Sequence, residues 1–246
     1  MDTTCPPFYV VARVIGSPNS FKRWTDVLTP LCAVSATEPQ GNSYYWGRDD
    51  SGAAPDTLWG LEGYTHAIGF FTGHPSSDVF KREMGIVERE GLLGEDYDLK
   101  HYDFAGGWLT REDDAEKDAQ DSYVAVHHFW AKERGRREAL IGWLLALAGK
   151  AREEVAGGVQ SAAVLRECND LRLATLWVRT RSKAEFEKYQ ASEVYKEIIG
   201  GELKEGGSVV GKVELHTSQN FIGHIDKTPA VKQVGSHEIN FGRVRG

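Results

Sequence analysis

THAIGFFTGHPSSDVF at residues 65–80 and TRSKAEFEKYQASEVY at residues 180–195 are two versions of one pattern. Thr65 answers to Thr180, His74 to Tyr189 and Phe80 to Tyr195, each 115 residues further on. A constant offset across the end of a strand and the helix after it points to duplication, because convergent patterning would not preserve register. Each copy therefore predicts a strand end, then a helix, at matching places in two halves of the chain.

Working outward from the first copy, FYVVARVI at 8–15 is an apolar, β-branched run that ends at Gly-Ser-Pro-Asn, a strand and its break. From Ser20 to about Thr37, Phe21, Trp24, Leu28, Leu31 and Val34 recur every three or four positions, which puts them on one face of a helix. Glu38-Pro39-Gln40-Gly41 ends that helix. NSYYWGRD (42–49) and TLWGLEGYT (57–65) read as strands. A second helical region runs from about His66 to Met84, broken at Gly73-His74-Pro75 and restarted by the capping residues Ser76-Ser77-Asp78. YDLKHYDFAGGWL closes a β-α-β-β-α-β order.

The order recurs after REDDAEKDAQD (111–121), a charged stretch without Gly or Pro that reads as a solvated linker or a short exposed helix. SYVAVHHFWA, RREALIGWLLALAGKAREEVA, VQSAAVLREC, LRLATLWVRT, KAEFEKYQASEVYKEII and SVVGKVELHT supply strand, helix, strand, strand, helix and strand. The expected division is a ferredoxin-like half at 1–110, the linker at 111–121 and a second ferredoxin-like half at 122–246. Each four-stranded antiparallel sheet would have one face covered by its own two helices and the other left apolar. The two open faces should pack together, giving an α+β intramolecular dimeric α/β barrel with ligands held inside each half, between sheet and helices.

Composition narrows the function. Hydrophobic residues make up 41% of the 246, with seven Trp and ten Phe, enough for a core that folds without staples. The net charge is −7 with basic residues scattered, so nucleic acid is not an expected partner. The N-terminal apolar run has no basic region before it and reads as a strand, not a signal peptide. ALIGWLLALAG is too short to span a membrane, which makes a membrane partner unexpected and the cytoplasm the expected location. Cys5, Cys32 and Cys168 fit neither a disulfide framework nor a metal motif and read as buried or incidental thiols. Neither GxGxxG nor GxxxxGK[ST] is present, so no Rossmann or P-loop cofactor site is expected.

Taken together, the helix ending in Glu38-Pro39-x-Gly41, the following Tyr44-Tyr45, the strand bearing Glu62 and the His74-x-x-Ser77-x-x-Phe80 helix resemble the antibiotic biosynthesis monooxygenase family of dimeric α/β barrels. The second half resembles it too, with Tyr189-x-x-Ser192-x-x-Tyr195 in place of the His motif and without the Glu-Pro-x-Gly turn. The resemblance implies cofactor-independent oxygenation of an aromatic or polyketide-like molecule in secondary metabolism, or a related proton transfer such as isomerisation or cyclisation. The same scaffold also hosts haem-binding or haem-degrading proteins, for which His74 would be the axial ligand, and non-catalytic ligand-binding or stress-response barrels. No flavin, haem or metal cofactor is expected, and further assembly would give a homodimer of pseudo-dimers.

Oxygenation without a cofactor needs a base, aromatic walls and a few donors. His66 and His74 are the candidate bases, Tyr45 and Tyr64 the candidate donors, and Trp46, Trp59, Phe70 and Phe71 the candidate walls. His74 has a competing role as a cap for the helix that restarts at Ser76. Glu62 is either a solvated carboxylate or, if buried, a functional group through a raised pKa. His127 and His128 point to opposite faces of one strand and cannot chelate one metal together, so one of them, with His128 the catalytic candidate, should face the ligand space. Trp177 and Arg179 lie on the third strand of the second half. Arg179 aligns with Tyr64 at the same offset, and its alternatives are holding a ligand enolate or carboxylate and a surface ion pair.

Overall fold

The computed structural model describes residues 6–52, 56–112, 114, 117–118, 120–154 and 158–227. Cys5 and the end of the second half, 228–246, lie outside the described residues. The chain runs β1 (Phe8–Ile15), α1 (Phe21–Thr37), β2 (Gly41–Asp49), β3 (Thr57–Tyr64), α2 (Asp78–Glu90), β4 (Asp98–Trp108), β5 (Tyr123–Ala131), α3 (Arg137–Glu153), β6 (Val159–Glu167), β7 (Leu173–Thr180), α4 (Lys183–Ala191), α5 (Glu193–Glu197) and β8 (Val210–His224).

All eight strands form one closed antiparallel barrel in the order β1-β3-β2-β8-β5-β7-β6-β4, with β4 returning to β1. The first four strands are therefore ordered β4-β1-β3-β2 and the last four β8-β5-β7-β6, the same arrangement twice. Beyond the expected packing of two open faces, the sheet edges also pair. β2 meets β8 along Tyr44–Asp49 and β4 meets β6 along Tyr102–Trp108. This closure leaves no free strand edge among the described strands.

Period-two alternation divides each strand between the barrel interior and the helices outside. Tyr9, Val11, Tyr45, Leu61, Tyr102, Val124, Val126, Leu165 and Trp177 fill the interior. Ala12, Val14, Tyr44, Trp46 and Leu58 face outward onto Trp24, Val27, Leu28 and Leu31 of α1 and Val87 of α2. The predicted face of α1 is the buried one, with Phe21 and Val34 half-buried at its margins. Glu38 ends α1 in an extended conformation, φ −70° and ψ 129°, as a residue before proline tends to.

Four expectations change. The helix expected to end at Met84 continues to Glu90, where Gly91 stops it in the left-handed region at φ 61°. The last strand continues past Thr217 because its first part pairs with β5 and its second part with β2. The charged stretch after 110 is not wholly solvated: Asp114 is buried against Arg179, and Asp118 accepts from the Ile225 backbone N–H. The uniform offset of 115 fails on the third strands. Tyr64 faces the helices whereas Arg179 lies on the interior side with Trp177, so an odd shift there reverses the faces. Pairing sets Phe8 opposite Tyr64 and Tyr123 opposite Thr180, so Thr180 stands where Tyr64 does, 116 residues on, and Arg179 answers to Gly63. The 115 offset does hold at the helix caps, where Ser77 accepts from Phe80 N–H and Ser192 from Tyr195 N–H. Of the described thiols, Cys32 is half-buried and Cys168 exposed.

Burial also sets an acid limit on the fold. His127 is pushed down to about 4 by desolvation and His128 well below its ordinary value for the same reason. Between pH 6.5 and 4 the unfolded chain binds protons at these positions that the folded chain refuses, so stability must fall as pH falls through that window. Each such group removes about 1.4 kcal/mol per pH unit while the two states differ in protonation. Urea unfolding at pH 7, 5.5 and 4 should show this decline, and a midpoint constant over the three would contradict neutral buried histidines.

Candidate active site

A cavity of about 470 Å³ lies between the outer face of β1, β2 and β3 and the helices α1 and α2. Val10, Ala12 and Val14 come from β1, Tyr44 and Trp46 from β2, Glu62 from β3, Trp24, Leu28 and Leu31 from α1, and Phe80, Met84 and Val87 from α2. Gly60 makes room for part of this wall, since a Cβ there would stand 2.7 Å from the Trp46 ring that lies over it. The space expected between sheet and helices is thus present behind the first four strands.

Behind the last four strands the equivalent side chains form a larger buried cluster. Phe129, Leu140, Leu144, Leu147, Tyr189 and Tyr195 belong to one continuous core there. The residues 115 positions on from Ala12 and Val14 are His127 and Phe129, both bulkier. His127 Nε2 meets the Tyr195 hydroxyl at 2.7 Å inside that core.

Two carboxyl-centred arrangements reach the first cavity. His74 follows a short π-helical turn, Gly69–Gly73, and is 2% exposed. Its Nδ1 lies 2.9 and 3.0 Å from the Glu38 carboxylate oxygens. A carboxylate only accepts, so Nδ1–H is the donor and Nε2 of the neutral ring carries the lone pair. That Nε2 is buried without a partner, as is Trp46 Nε1. Tyr44 and Phe80 pack on the imidazole with ring centroids 5.5 and 5.2 Å away. The capping role belongs to Ser77, whose hydroxyl takes the Phe80 N–H, leaving the His74 side chain to the cavity.

Glu62 and Tyr64 form the second arrangement, the Tyr64 hydroxyl donating to Glu62 Oε2 at 2.8 Å. They are two residues apart on one strand and share its outer face. Burial raises the Glu62 carboxyl above the ordinary value, against the opposing pull of the His74 ring when it is protonated and of the Tyr64 hydrogen bond. Burial, then the neighbouring Glu62, holds the Tyr64 phenol far above its own. Glu62 is half-buried and lines the cavity.

The structure brings His74, Glu62, Trp46 and Phe70 to one cavity, with Tyr64 joined through Glu62. His66 sits half-buried in the turn before the π-helical segment and does not line it. Phe71 is 59% exposed. The other candidates lie on the barrel-interior side of the sheet. Tyr45 and Trp177 meet edge to face at 6.0 Å, and Trp59 stacks on His216 at 4.3 Å while donating to Asp49. His128 bonds Thr175 Oγ1 at 2.8 Å beside Tyr102, so neither His127 nor His128 lines the cavity. Arg179 is buried in an ion pair with Asp114 and donates to Ser161 Oγ at 3.1 Å, so its ion pair is not a surface one.

Sequence reasoning missed Glu38 as a site residue, quoting it only in a turn, and missed Trp24 and Tyr44 as cavity walls. The partnership of Glu38 with His74 spans 36 residues and follows no motif spacing. Among the described residues no three His, Cys, Asp or Glu side chains gather as a metal ion would require.

The closed barrel with helices outside, built twice in one strand order, defines the class by fold: a single-chain α/β barrel. Three solved structures share it over nearly their whole length. A protein of Fusobacterium nucleatum subsp. nucleatum provisionally named a monooxygenase superposes with a TM-score of 0.71 at 10% identity, covering 90% of this chain and 95% of that one. One from Lactobacillus acidophilus NCFM, named in the same provisional way, gives 0.69 at 12% identity, covering 90% and 97%. An anthrone oxidase-like protein gives 0.62 at 14% identity, covering 92% and 95%. No protein-family model and no curated protein matches the sequence. At these identities the likeness is one of fold.

Proposed function

We propose that this chain is a small-molecule oxygenase that uses dioxygen and no bound cofactor, and that an aromatic, polyketide-like substrate reacts in the cavity behind the first four strands. The observation that carries the proposal is the pairing, within one apolar cavity, of the Glu38-oriented His74 with the half-buried Glu62. The volume lies within the roughly 300–1,000 Å³ of small-molecule sites. The names borne by the three structural neighbours lean the same way.

In this scheme Glu38 fixes the imidazole tautomer, and His74 Nε2 takes a proton from an activated ring methylene of the substrate. The resulting carbanion gives its electrons to dioxygen, a C–O bond forms, and the imidazolium returns the proton to make a hydroperoxide. The O–O bond then breaks: one oxygen stays as a carbonyl, and the other leaves as water with the second hydrogen of that carbon. Four electrons pass from substrate to dioxygen, so no further reductant is needed. The apolar walls keep water from the carbanion.

The proposal includes the architecture beneath it, two ferredoxin-like halves that arose by duplication, of which the first holds the substrate cavity. Pairing of whole chains into a homodimer of pseudo-dimers is part of the same expectation. No helix of the described residues is long and apolar enough to cross a membrane. The free thiols Cys32 and Cys168 fit a reducing compartment such as the cytoplasm.

Anthrone is the test substrate. Anthraquinone should appear with one dioxygen consumed per anthrone, and under ¹⁸O₂ one labelled oxygen should enter the product. A rate no higher than that of buffer with heat-denatured protein would defeat the proposal.

A further inference from the structure

The geometry points to Glu62 as a charge filter: the cavity takes an uncharged aromatic ligand whose hydroxyl donates to the Glu62 carboxylate, and refuses the same ring carrying an anionic group. The inference rests on the assignment of this cavity as the substrate site and names the class of substrate it admits.

Among the described residues lining the cavity, the carboxylates are Glu62 and Glu88, and no Lys or Arg reaches it. Glu88 is exposed on α2. Tyr97 and Leu99, also lining residues, are 40% and 38% exposed, so the three mark the mouth. An entering ligand passes one carboxylate at the rim and meets another on the sheet. A ligand carboxylate or phosphate would give up its water there and find no Lys or Arg in exchange, the His74 ring being already paired with Glu38, beside a like charge in an apolar enclosure.

The acceptor at the inner end suits a hydroxyl. Tyr64 already occupies Glu62 Oε2, and Oε1 has no hydrogen-bond partner among the described residues. One free acceptor oxygen matches one O–H. An ammonium group brings three donors, and the surrounding Val10, Ala12, Leu28 and Leu31 side chains satisfy none of them. Rejection of the wrong charge is thus built into the site as well as attraction of the right group.

Equilibrium dialysis of the whole chain at pH 7 tests this with 2-naphthol, 2-naphthoate and 2-naphthylmethylammonium. Naphthol should bind at least tenfold more tightly than either charged probe. In Glu62→Gln the gap between naphthol and naphthoate should shrink below threefold. Glu88→Gln, a change at the exposed rim, should leave that gap within twofold of wild type. A wild-type gap below tenfold, tighter binding of the ammonium probe, or no binding of naphthol would overturn the inference, and the wild-type comparison decides the ligand class without any variant. A gap that survives Glu62→Gln, or collapses in Glu88→Gln, would remove Glu62 as the filter. If naphthoate is refused while anthrone is not oxidised, the filter stands and the oxygenase falls. Oxidation of anthrone with naphthoate bound as well as naphthol gives the reverse.

Discussion

His74→Gln is expected to lower turnover of anthrone about 10²-fold, the usual contribution of a positioned general base. Glutamine keeps a donor for Glu38, whose carboxylate now lies 2.9 Å from His74 Nδ1, but it cannot take a proton. The melting temperature should move by no more than about 4 °C, roughly 1 kcal/mol in a chain of this size. Tyr189→Phe is the matched control, since Tyr189 stands 115 residues on from His74 in the buried core of the second half. The Tyr189 hydroxyl is buried without a partner, so removing it strands no other group. Its rate should remain within a few-fold of wild type. Oxygen-electrode rates and calorimetry on the two variants check both statements. A lowered melting temperature with intact specific activity in His74→Gln would reduce that residue to a structural one.

The largest loss of stability should come from Asp114→Ala, far from the cavity. Arg179 is 1% exposed, and the Asp114 carboxylate is its counter-charge. Removing one partner of a buried pair leaves the other charge without compensation and costs about 3–5 kcal/mol. That corresponds to a fall of roughly 6–20 °C in melting temperature, readable by calorimetry. Asp114→Ala combined with Arg179→Met should recover much of it, because the stranded charge is then gone. A single-variant loss below about 1 kcal/mol would show that water or another group reaches the guanidinium.

Most of the architecture was legible because amphipathic period is a local property. The spacing of Trp24, Leu28 and Leu31 and the Gly-Pro breaks around His74 placed the elements within a few residues. Assignment of faces was not legible on the strands that matter most. Tyr44 and Tyr45 must point opposite ways, but seven consecutive residues from Gly41 to Gly47 are buried, so hydropathy does not say which tyrosine meets the helices. It is Tyr44 that lines the cavity, while Tyr45 meets Trp177 inside the barrel. The same two-sided burial covers His127 and His128. The uniform offset of 115 put Arg179 on the wrong partner, because an offset read at the helix caps does not carry back onto the preceding strand. Glu38 escaped because its meeting with His74 depends on how α1 ends against a turn that is remote in the chain.

The pairing of β8 with β2 carries a consequence for synthesis. The outer edge of β2, which bears Tyr44 and Trp46, is covered by Ser218–His224. Asn220 Nδ2 bonds the Trp46 carbonyl, and Phe221 lies edge-on to Phe21 at 5.3 Å. A ribosome makes more than two hundred residues before it reaches them. Throughout that interval the part of the chain that will hold the cavity has an open strand edge and an unfinished wall, however quickly its own helices form. The first segment made is among the last completed, so the order in which the site appears along the gene is nearly the reverse of the order in which it becomes whole.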